Sequence, residues 1–378
     1  MDKKSDEMIV ERDIAGFALP FIVGTVISVC FFQQFSSCTD ICATAALTLA
    51  ALPASLLLYG RHKHMSSSLI WVCIIVSATC TGYLCSITEA LTLHSGNRTS
   101  PLSSSALEAA ESLKTLIHRT FEDLEGKGLI TALITGDRSG LTAHTTEIFR
   151  NSGASHILAL SGLHLGIIYA VLKGLSSATG NSRISKATGS VLTISICGLY
   201  TMITGASASI TRAMLFILLG EAASLSGRHR STAGILWPAL LIQLVIDPLA
   251  IKDIGFQLSY AAMIGMAYIY PHLKRIWPEK KDDEGIVSMI LRWIWNSAAM
   301  SMACQAATGP IAWIYFRTFP TYFLITNMIA IPLISLVIPS CLMAIILECF
   351  GICPDFLISA IDAAITLLVQ SLDILASL

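Results

Sequence analysis

Between Thr321 and Leu347 the chain reads TYFLITNMIAIPLISLVIPSCLMAIIL and carries no charged side chain. A helix rises 1.5 Å per residue, so about 20 mainly apolar residues cross the hydrocarbon layer of a bilayer. The run therefore predicts a membrane-crossing helix over 321–347. Towards the C-terminus a second lies at 356–377, and towards the N-terminus others lie at 288–308, 254–271, 233–249, 207–225, 187–204 and 153–173. Three more, at 68–88, 39–59 and 14–34, bring the expected total to eleven. The first lacks the short apolar core and small-residue cleavage site of a removable signal peptide. The fold class expected is all-α: a polytopic helical membrane protein with about 11 transmembrane helices plus an extracytoplasmic amphipathic helix.

Composition agrees. Of the 378 residues, 54% are apolar and 13% charged, and the mean hydropathy is +0.70. A soluble domain carries about a quarter charged residues, so this chain cannot cover its surface with charge and needs the lipid bilayer as its solvent. Disorder, collagen and a disulfide-stapled secreted scaffold are excluded. With 24 basic and 25 acidic residues the net charge is −1, so any attraction for nucleic acid must be local. Most of the eleven Cys sit in apolar runs (Cys30, Cys73, Cys80, Cys197, Cys304, Cys341), where Cys packs as a small hydrophobe. Cys38/Cys42 and Cys349/Cys353 have no companion at zinc-ligand spacing.

Basic residues collect in cytoplasmic loops. With the N-terminus inside, the inside segments hold 15 of the 24 Lys and Arg, among them Arg61, Lys173, Arg228 and Lys274. The short outside loops hold only Lys252 and Arg317. The last hairpin, 348–355, has no basic residue to place it.

Segment 89–152 is the one long stretch between spans. Leu102, Ala106, Ala109, Leu113, Leu116, Thr120 and Leu124 repeat at helical spacing, with Glu108, Glu111, Arg119 and Glu122 off the stripe. This predicts an amphipathic helix on the outer membrane face or on the bundle, opened by the capping box Ser105-x-x-Glu108. Gly126, Gly128, Gly136 and Gly140 then cut the chain into short pieces. Three segments are expected: 1–88 with the N-terminal spans, 89–128 with the extracytoplasmic helix, and the membrane domain 129–378.

The most unusual stretch is SGASHILALSGLHLG, Ser152 to Gly166. Read as one helix, it aligns Ser152, Ser155, Ala159, Gly162 and Gly166 in a stripe of small residues, which suits either a tight helix seam or the wall of a hydrated path. His156 and His164 would lie about 80° apart around that helix, which is not the spacing of a metal pair. Arg212 lies inside the span 207–225, where a charge costs about 2.5–3.5 kcal/mol and must snorkel, pair or face water. Glu221 falls on the opposite face, so the two cannot pair with each other. Asp247, Asp253, a lipid head group or a passing phosphate remain as partners for Arg212. Asp247-Pro248 to Asp253 reads as a turn with a helix cap at Asp253. Gln257, Gln305 and Asn327 are polar residues within spans, suited to interhelical hydrogen bonds. Pro310, Pro332 and Pro339 predict broken or kinked helices.

No Gly-x-x-x-x-Gly-Lys-Ser/Thr phosphate loop and no His-Glu-x-x-His or His-x-His-x-Asp-His cluster occurs, so no cofactor, no metal and no enzymatic activity are expected. Ser161 and His164 alone do not supply a nucleophile, base and orienter.

Four motifs fall in order: Ser152 to His164; Gly205 to Arg212-Ala-Met; Ile246-Asp-Pro with Gly255-Phe-Gln-Leu-Ser-Tyr260; and Gln305 to Pro310 leading to Asn327-Met-Ile-Ala-Ile-Pro332. Together with Leu-Ile-Thr-Gly-Asp137 they resemble the membrane competence domain of ComEC-type DNA-uptake proteins, over about 129–348. The resemblance implies a multi-pass protein of the bacterial cytoplasmic (inner) membrane, N-terminus cytoplasmic, that passes single-stranded DNA in natural transformation. Such proteins usually carry an OB-like domain after the first spans, and many end in a metallo-β-lactamase-like domain; neither is found here. A minimal channel subunit, a diverged paralogue or a truncated product are the readings this leaves open. The path candidates are His156, Ser161, Gly162, His164, Arg212, Asp247, Asp253 and Gln257. With an inside-negative potential opposing each entering charge by about 2.3 kcal/mol per 100 mV, the strand needs a pull. A cytoplasmic ATP-driven helicase or translocase and an extracytoplasmic DNA receptor are therefore the partners expected, with a separate nuclease and a homo-oligomer as further options. A transporter of a small anion or lipid, and a membrane hydrolase using Ser161 and His164, are the rival readings.

Overall fold

The computed structural model describes residues 18–26, 104–178, 182–226, 231–277, 285–317 and 322–377, with the side chains of 104–106 and 183 excepted. Every regular element among them is a helix. Four are long and apolar enough to cross a membrane: Ile184–Ile203, Ala208–Leu225, Phe323–Cys349 and Asp355–Ala376. Gly162–Ala178 and Thr232–Ile246 are shorter apolar helices. The expected spans 39–59 and 68–88 lie outside the described residues, and of 14–34 only the helical piece 18–26 is described.

Two compact units divide the chain: Met1–Ser100 with His229–Tyr260, and Pro101–Arg228 with Ala261–Leu378. In the larger unit, α1 (Ser104–Thr120) is the expected amphipathic helix and packs on the bundle. Its apolar stripe ends in the fully buried Ile117 and in Phe121 just beyond. Next, α2 (Lys127–Thr135) has every residue from Leu129 to Ile134 buried. A Cβ on Gly128 would stand 2.0 Å from the Gly140 carbonyl oxygen, so only glycine lets the start of α2 meet the following turn. After α3 (Ala143–Asn151), capped by the Thr142 hydroxyl accepting from Thr145 N–H at 3.0 Å, come α4 (Ser155–Leu158) and α5 (Gly162–Ala178). The expected continuous helix over 153–173 is thus interrupted, and its small residues do not form one stripe. Gly153 turns the chain with φ +81°, and Ala159 is extended before α5 restarts.

The C-terminal carbonyls of these short helices would be orphaned in an apolar interior. Long-range donors take them up. Tyr200 O–H donates to Ile134 O at 2.7 Å, Thr326 O–H to Ser152 O at 2.7 Å, and Arg138 Nε–H to Leu158 O at 3.1 Å. Phe121 and Phe149 are fully buried in the same core, where truncation to Ala costs about 3–5 kcal/mol.

Two long helices follow, α6 (Arg183–Ile203), capped by Ser182, and α7 (Ala208–Leu225); α5, α6 and α7 all touch one another. The smaller unit holds α8 (Thr232–Ile246), a 3-10 turn Pro248–Lys252, and most of α9 (Ile254–Ile264), which carries the chain back to the larger unit. There a π-turn, Gly265–Ile269, precedes the short α10 (Tyr270–Lys274). Pro271 has no N–H to give and crowds the carbonyl one turn back, so the helix widens and Tyr270 N–H donates to Gly265 O. A Cβ on Gly265 would lie 2.4 Å from Ala303 O, so two backbones touch here. Ala303 belongs to α11 (Ile286–Phe316), and α12 (Phe323–Cys349) and α13 (Asp355–Ala376) complete the unit. Pro310, Pro332 and Pro339 interrupt neither α11 nor α12: both helices run through, as apolar helices with packed neighbours permit.

Arg119 Nε lies 3.3 Å from Glu348 Oε1. The distribution of basic residues places 89–152 outside and 348–355 inside, and two such residues cannot touch across a layer about 30 Å thick. The two placements do not hold together.

Candidate functional site

The break before α5 is built by its own sequence. Leu163 N–H donates to Ser161 Oγ at 3.2 Å, and Ser161 N–H donates to His164 Nδ1 at 3.2 Å. This is a reciprocal capping box with an imidazole where Glu or Gln usually stands. Ser161 Oγ also lies 3.1 Å from the same nitrogen. His164 is fully buried, and its Nε2 has no partner among the described residues. Because Nδ1 accepts, the neutral ring carries its hydrogen on Nε2. His156, on α4, lies exposed with Nδ1 3.2 Å from Gly153 O.

Gly162 opens α5 against α7: a Cβ on it would be 3.2 Å from Ala213 Cβ. Further along the same two helices, Glu221 accepts from Tyr169 O–H at 2.7 Å and from Lys173 Nζ at 2.7 Å. Ser190 O–H of α6 donates to the same carboxylate. The contacts at both ends join residues about fifty apart, so α5 and α7 run parallel. Glu221 is 1% exposed and Lys173 38%. As the sequence required, Glu221 does not pair with Arg212. The cluster that holds it was missed, because Tyr169 and Lys173 look like an interfacial pair at the end of a span; their i,i+4 spacing was the available signal.

Arg212 is 4% exposed. It does not snorkel outward, although it lies on the face of α7 opposite Ile210, Ile217 and Glu221, which are also buried. Residues about one turn inside α7 are therefore covered on both faces. A buried guanidinium in a bilayer-length helix is a fixed positive charge in a low-dielectric setting.

Asp247, Asp253 and Gln257 belong to the smaller unit. Asp253 caps α9 as expected, accepting from Gly255 N–H and Phe256 N–H at 3.1 Å each. Gln257 donates to Ile251 O at 2.9 Å, so it braces its own turn and does not bond another helix. Asp247 ends α8, its N–H donating to Gln243 O. Beside α1, Asp137 accepts from Ser139 N–H and pairs with Lys114 Nζ at 2.8 Å. The Lys114 ammonium holds the Asp137 carboxyl well below the usual carboxylate range, and Asp137 raises Lys114 in turn. Among the described residues no three His, Cys, Asp or Glu gather at metal-binding distance.

Four features thus share one unit: a helix start capped by Ser161 and His164, a buried cation one helix away, a parallel helix pair, and a carboxylate knot tying it. Arg212 and the capped start of α5 lie at one level of the pair, and the knot lies further along.

The comparisons bear on the same stretch. ComE operon protein 3 of Bacillus subtilis (strain 168) is 27% identical over 208 residues, covering 55% of this chain and 25% of that protein. Competence protein ComA of Neisseria gonorrhoeae is 26% identical over 219 residues, covering 57% and 29%. Recombination protein 2 of Haemophilus influenzae is 23% identical over 241 residues, covering 62% and 30%. The chain thus spans less than a third of the length of these relatives. No solved structure matches it. The family model described as Competence protein matches residues 133–378, from within α2 to the last residue, and the chain belongs to that family.

Proposed function

We propose that the chain is a permease component of DNA uptake, passing single-stranded DNA across the bacterial inner membrane. The observation that carries this reading is Arg212, a guanidinium 4% exposed inside a bilayer-length helix, level with the start of α5. A few fixed cations beside small residues suit passage of a polyanion, because a strongly basic tunnel would trap it. Family membership supports the same reading, as does the name of one relative, Competence protein ComA. The path residues proposed are His156, Ser161, Gly162, His164 and Arg212, with Asp247, Asp253 and Gln257 as those of the smaller unit. Passage against the potential needs a cytoplasmic ATP-driven translocase and a receptor on the far side.

The hydrolase reading is disfavoured by a specific observation. His164 Nδ1 already accepts the Ser161 backbone N–H, and no described carboxylate reaches Nε2 to orient the ring. The proposal is tested by deleting the gene and following labelled DNA into protease-treated, washed cells. Loss of uptake, restored by the chain, supports it. Normal uptake with loss of transport of one small anion overturns it in favour of the rival transporter.

A further inference from the structure

By length and apolarity α13 could cross a bilayer, but its faces and its neighbours are those of a surface helix. Ile361, Ile365, Leu368 and Leu372 recur every three or four residues and are buried in the core. Ser359, Asp362, Thr366, Gln370 and Asp373 recur at the same spacing on a second face. All of these are exposed except Asp362, which is half-buried, and among the described residues neither carboxylate is in an ion pair. From Ser359 to Asp373 this polar stripe runs about 21 Å, some two-thirds of the hydrocarbon thickness. Phe356, Leu367 and Ile374 make a third face, apolar and 75%, 52% and 64% exposed.

What lies against the middle of α13 carries charge. Ile365 stands about 15 Å along the helix axis from either end of α13. A Cβ on Gly126 would be 2.8 Å from Ile365 Cγ2. Leu124 borders one open groove with Ile358, Asp362 and Gln370. Glu122, Asp123 and Glu125, which flank Leu124 and Gly126, are all exposed. The polar helix α3 also packs on α13. If α13 crossed the bilayer, three carboxylates would sit beside the middle of the hydrocarbon layer, where a charge is strongly disfavoured without a partner or water.

We infer that α13 lies along the membrane surface and does not cross it. Its polar stripe faces water together with Glu122, Asp123 and Glu125. Phe356, Leu367 and Ile374 rest in lipid at the boundary of head groups and acyl chains, where an amphipathic helix sinks its apolar face about 5–10 Å. Both ends of α13 then open on the side of α1, as the Arg119–Glu348 contact requires of the first end. This placement holds whether or not the chain passes DNA.

The experiment uses the full chain in sealed membrane vesicles of each orientation, treated with an impermeant maleimide. Labelled peptides are read by mass spectrometry, so the native cysteines stay in place. Cys349, shortly before α13, is exposed, and Ser377→Cys adds a thiol just after it. Both are expected to label in the same vesicle orientation and to lose labelling in the other. Labelling in opposite orientations overturns the inference, because a crossing helix puts its ends on opposite sides. Depth is read separately, with a nitroxide amino acid substituted for Leu367 in phosphatidylcholine–phosphatidylglycerol vesicles. A label about 5–10 Å below the phosphates supports the surface placement. A label about 15 Å deep, at the middle of the layer, overturns it. A label in water, or shielded from lipid and water alike, overturns the assignment of this face to lipid.

Discussion

Glu221→Gln isolates the knot that ties α5, α6 and α7. The carboxylate is 1% exposed and accepts three hydrogen bonds, from Tyr169, Lys173 and Ser190. Glutamine keeps one acceptor oxygen and presents an NH2 group to donors, so at least one of the three loses its acceptor, at about 1–3 kcal/mol each. The Lys173 ammonium also loses its counter-charge. Breaking a fully buried pair costs about 3–5 kcal/mol, but Lys173 is 38% exposed and regains water, which lowers that share. A net loss of about 2–4 kcal/mol follows. The assay is a double-mutant cycle of Glu221→Gln with Lys173→Met, read by unfolding of the purified chain in detergent. A coupling of about 1–3 kcal/mol is expected, because residues in one hydrogen-bonded pair do not add. Additivity within about 0.5 kcal/mol, or a Glu221→Gln variant as stable as the parent, would refute the claim that this carboxylate locks the parallel pair.

Other consequences follow from the same structure. Asp137→Asn should destabilise by about 1 kcal/mol at neutral pH. Because the folded carboxyl lies below its ordinary value of 3.8, its contribution is present above that pH and fades as pH falls further, whereas the Lys114 contribution is full below 10.5 and fades above it. Unfolding measured from pH 3 to 11 should show the acid slope vanish in the variant and the alkaline slope shrink, since Glu111 also pairs with Lys114 at 3.1 Å; an acid slope that persists would disprove the pairing. Ser161→Ala should cost about 1 kcal/mol through the lost cap, and Ser161→Asn, which retains a capping oxygen, should restore both stability and uptake. Loss of uptake in Ser161→Asn with normal unfolding would show that the hydroxyl does more than cap the helix. Cys349 is exposed at the α12–α13 hairpin. In a background with the other cysteines replaced, it and a cysteine introduced at Arg119 should label with an impermeant maleimide from the same side. Labelling from opposite sides would contradict the Arg119–Glu348 contact.

Hydropathy alone made the helical membrane architecture readable, because length and apolarity are what a bilayer selects. The spans at 187–204, 207–225, 321–347 and 356–377 are found as bilayer-length helices close to those bounds. Periodicity found α1, and the Asp253 cap was legible from its place before an apolar run. What escaped was set by contacts distant in sequence. The stretch from Ser152 to Gly166 is apolar enough to read as one helix, yet it breaks where Ser161 and His164 cap a new start and where Thr326 and Arg138 take up the loose carbonyls. The short pattern Ser161-Gly-Leu-His164 held that information, in a capping form with imidazole in the usual place of a carboxylate.

The breaks expected at proline are not found in α12, which runs continuously through Pro332 and Pro339, as an apolar helix with packed neighbours permits. The one proline with a visible local effect, Pro271, widens the helix before it into a π-turn without ending it. For the site, Arg212 and His164 were legible as polar residues out of place, whereas Tyr169, Lys173 and Ser190 acquire meaning only once α5, α6 and α7 lie side by side.

The most direct test of the central claim is DNA uptake by cells in which the chromosomal copy is replaced with Arg212→Gln, compared with Arg212→Lys and the parent at matched membrane levels. Entry of labelled DNA into the cytoplasm is expected to fall at least about tenfold in the glutamine variant and to recover in part with lysine, since the charge matters more than the guanidinium shape. Parental uptake by the glutamine variant would contradict it.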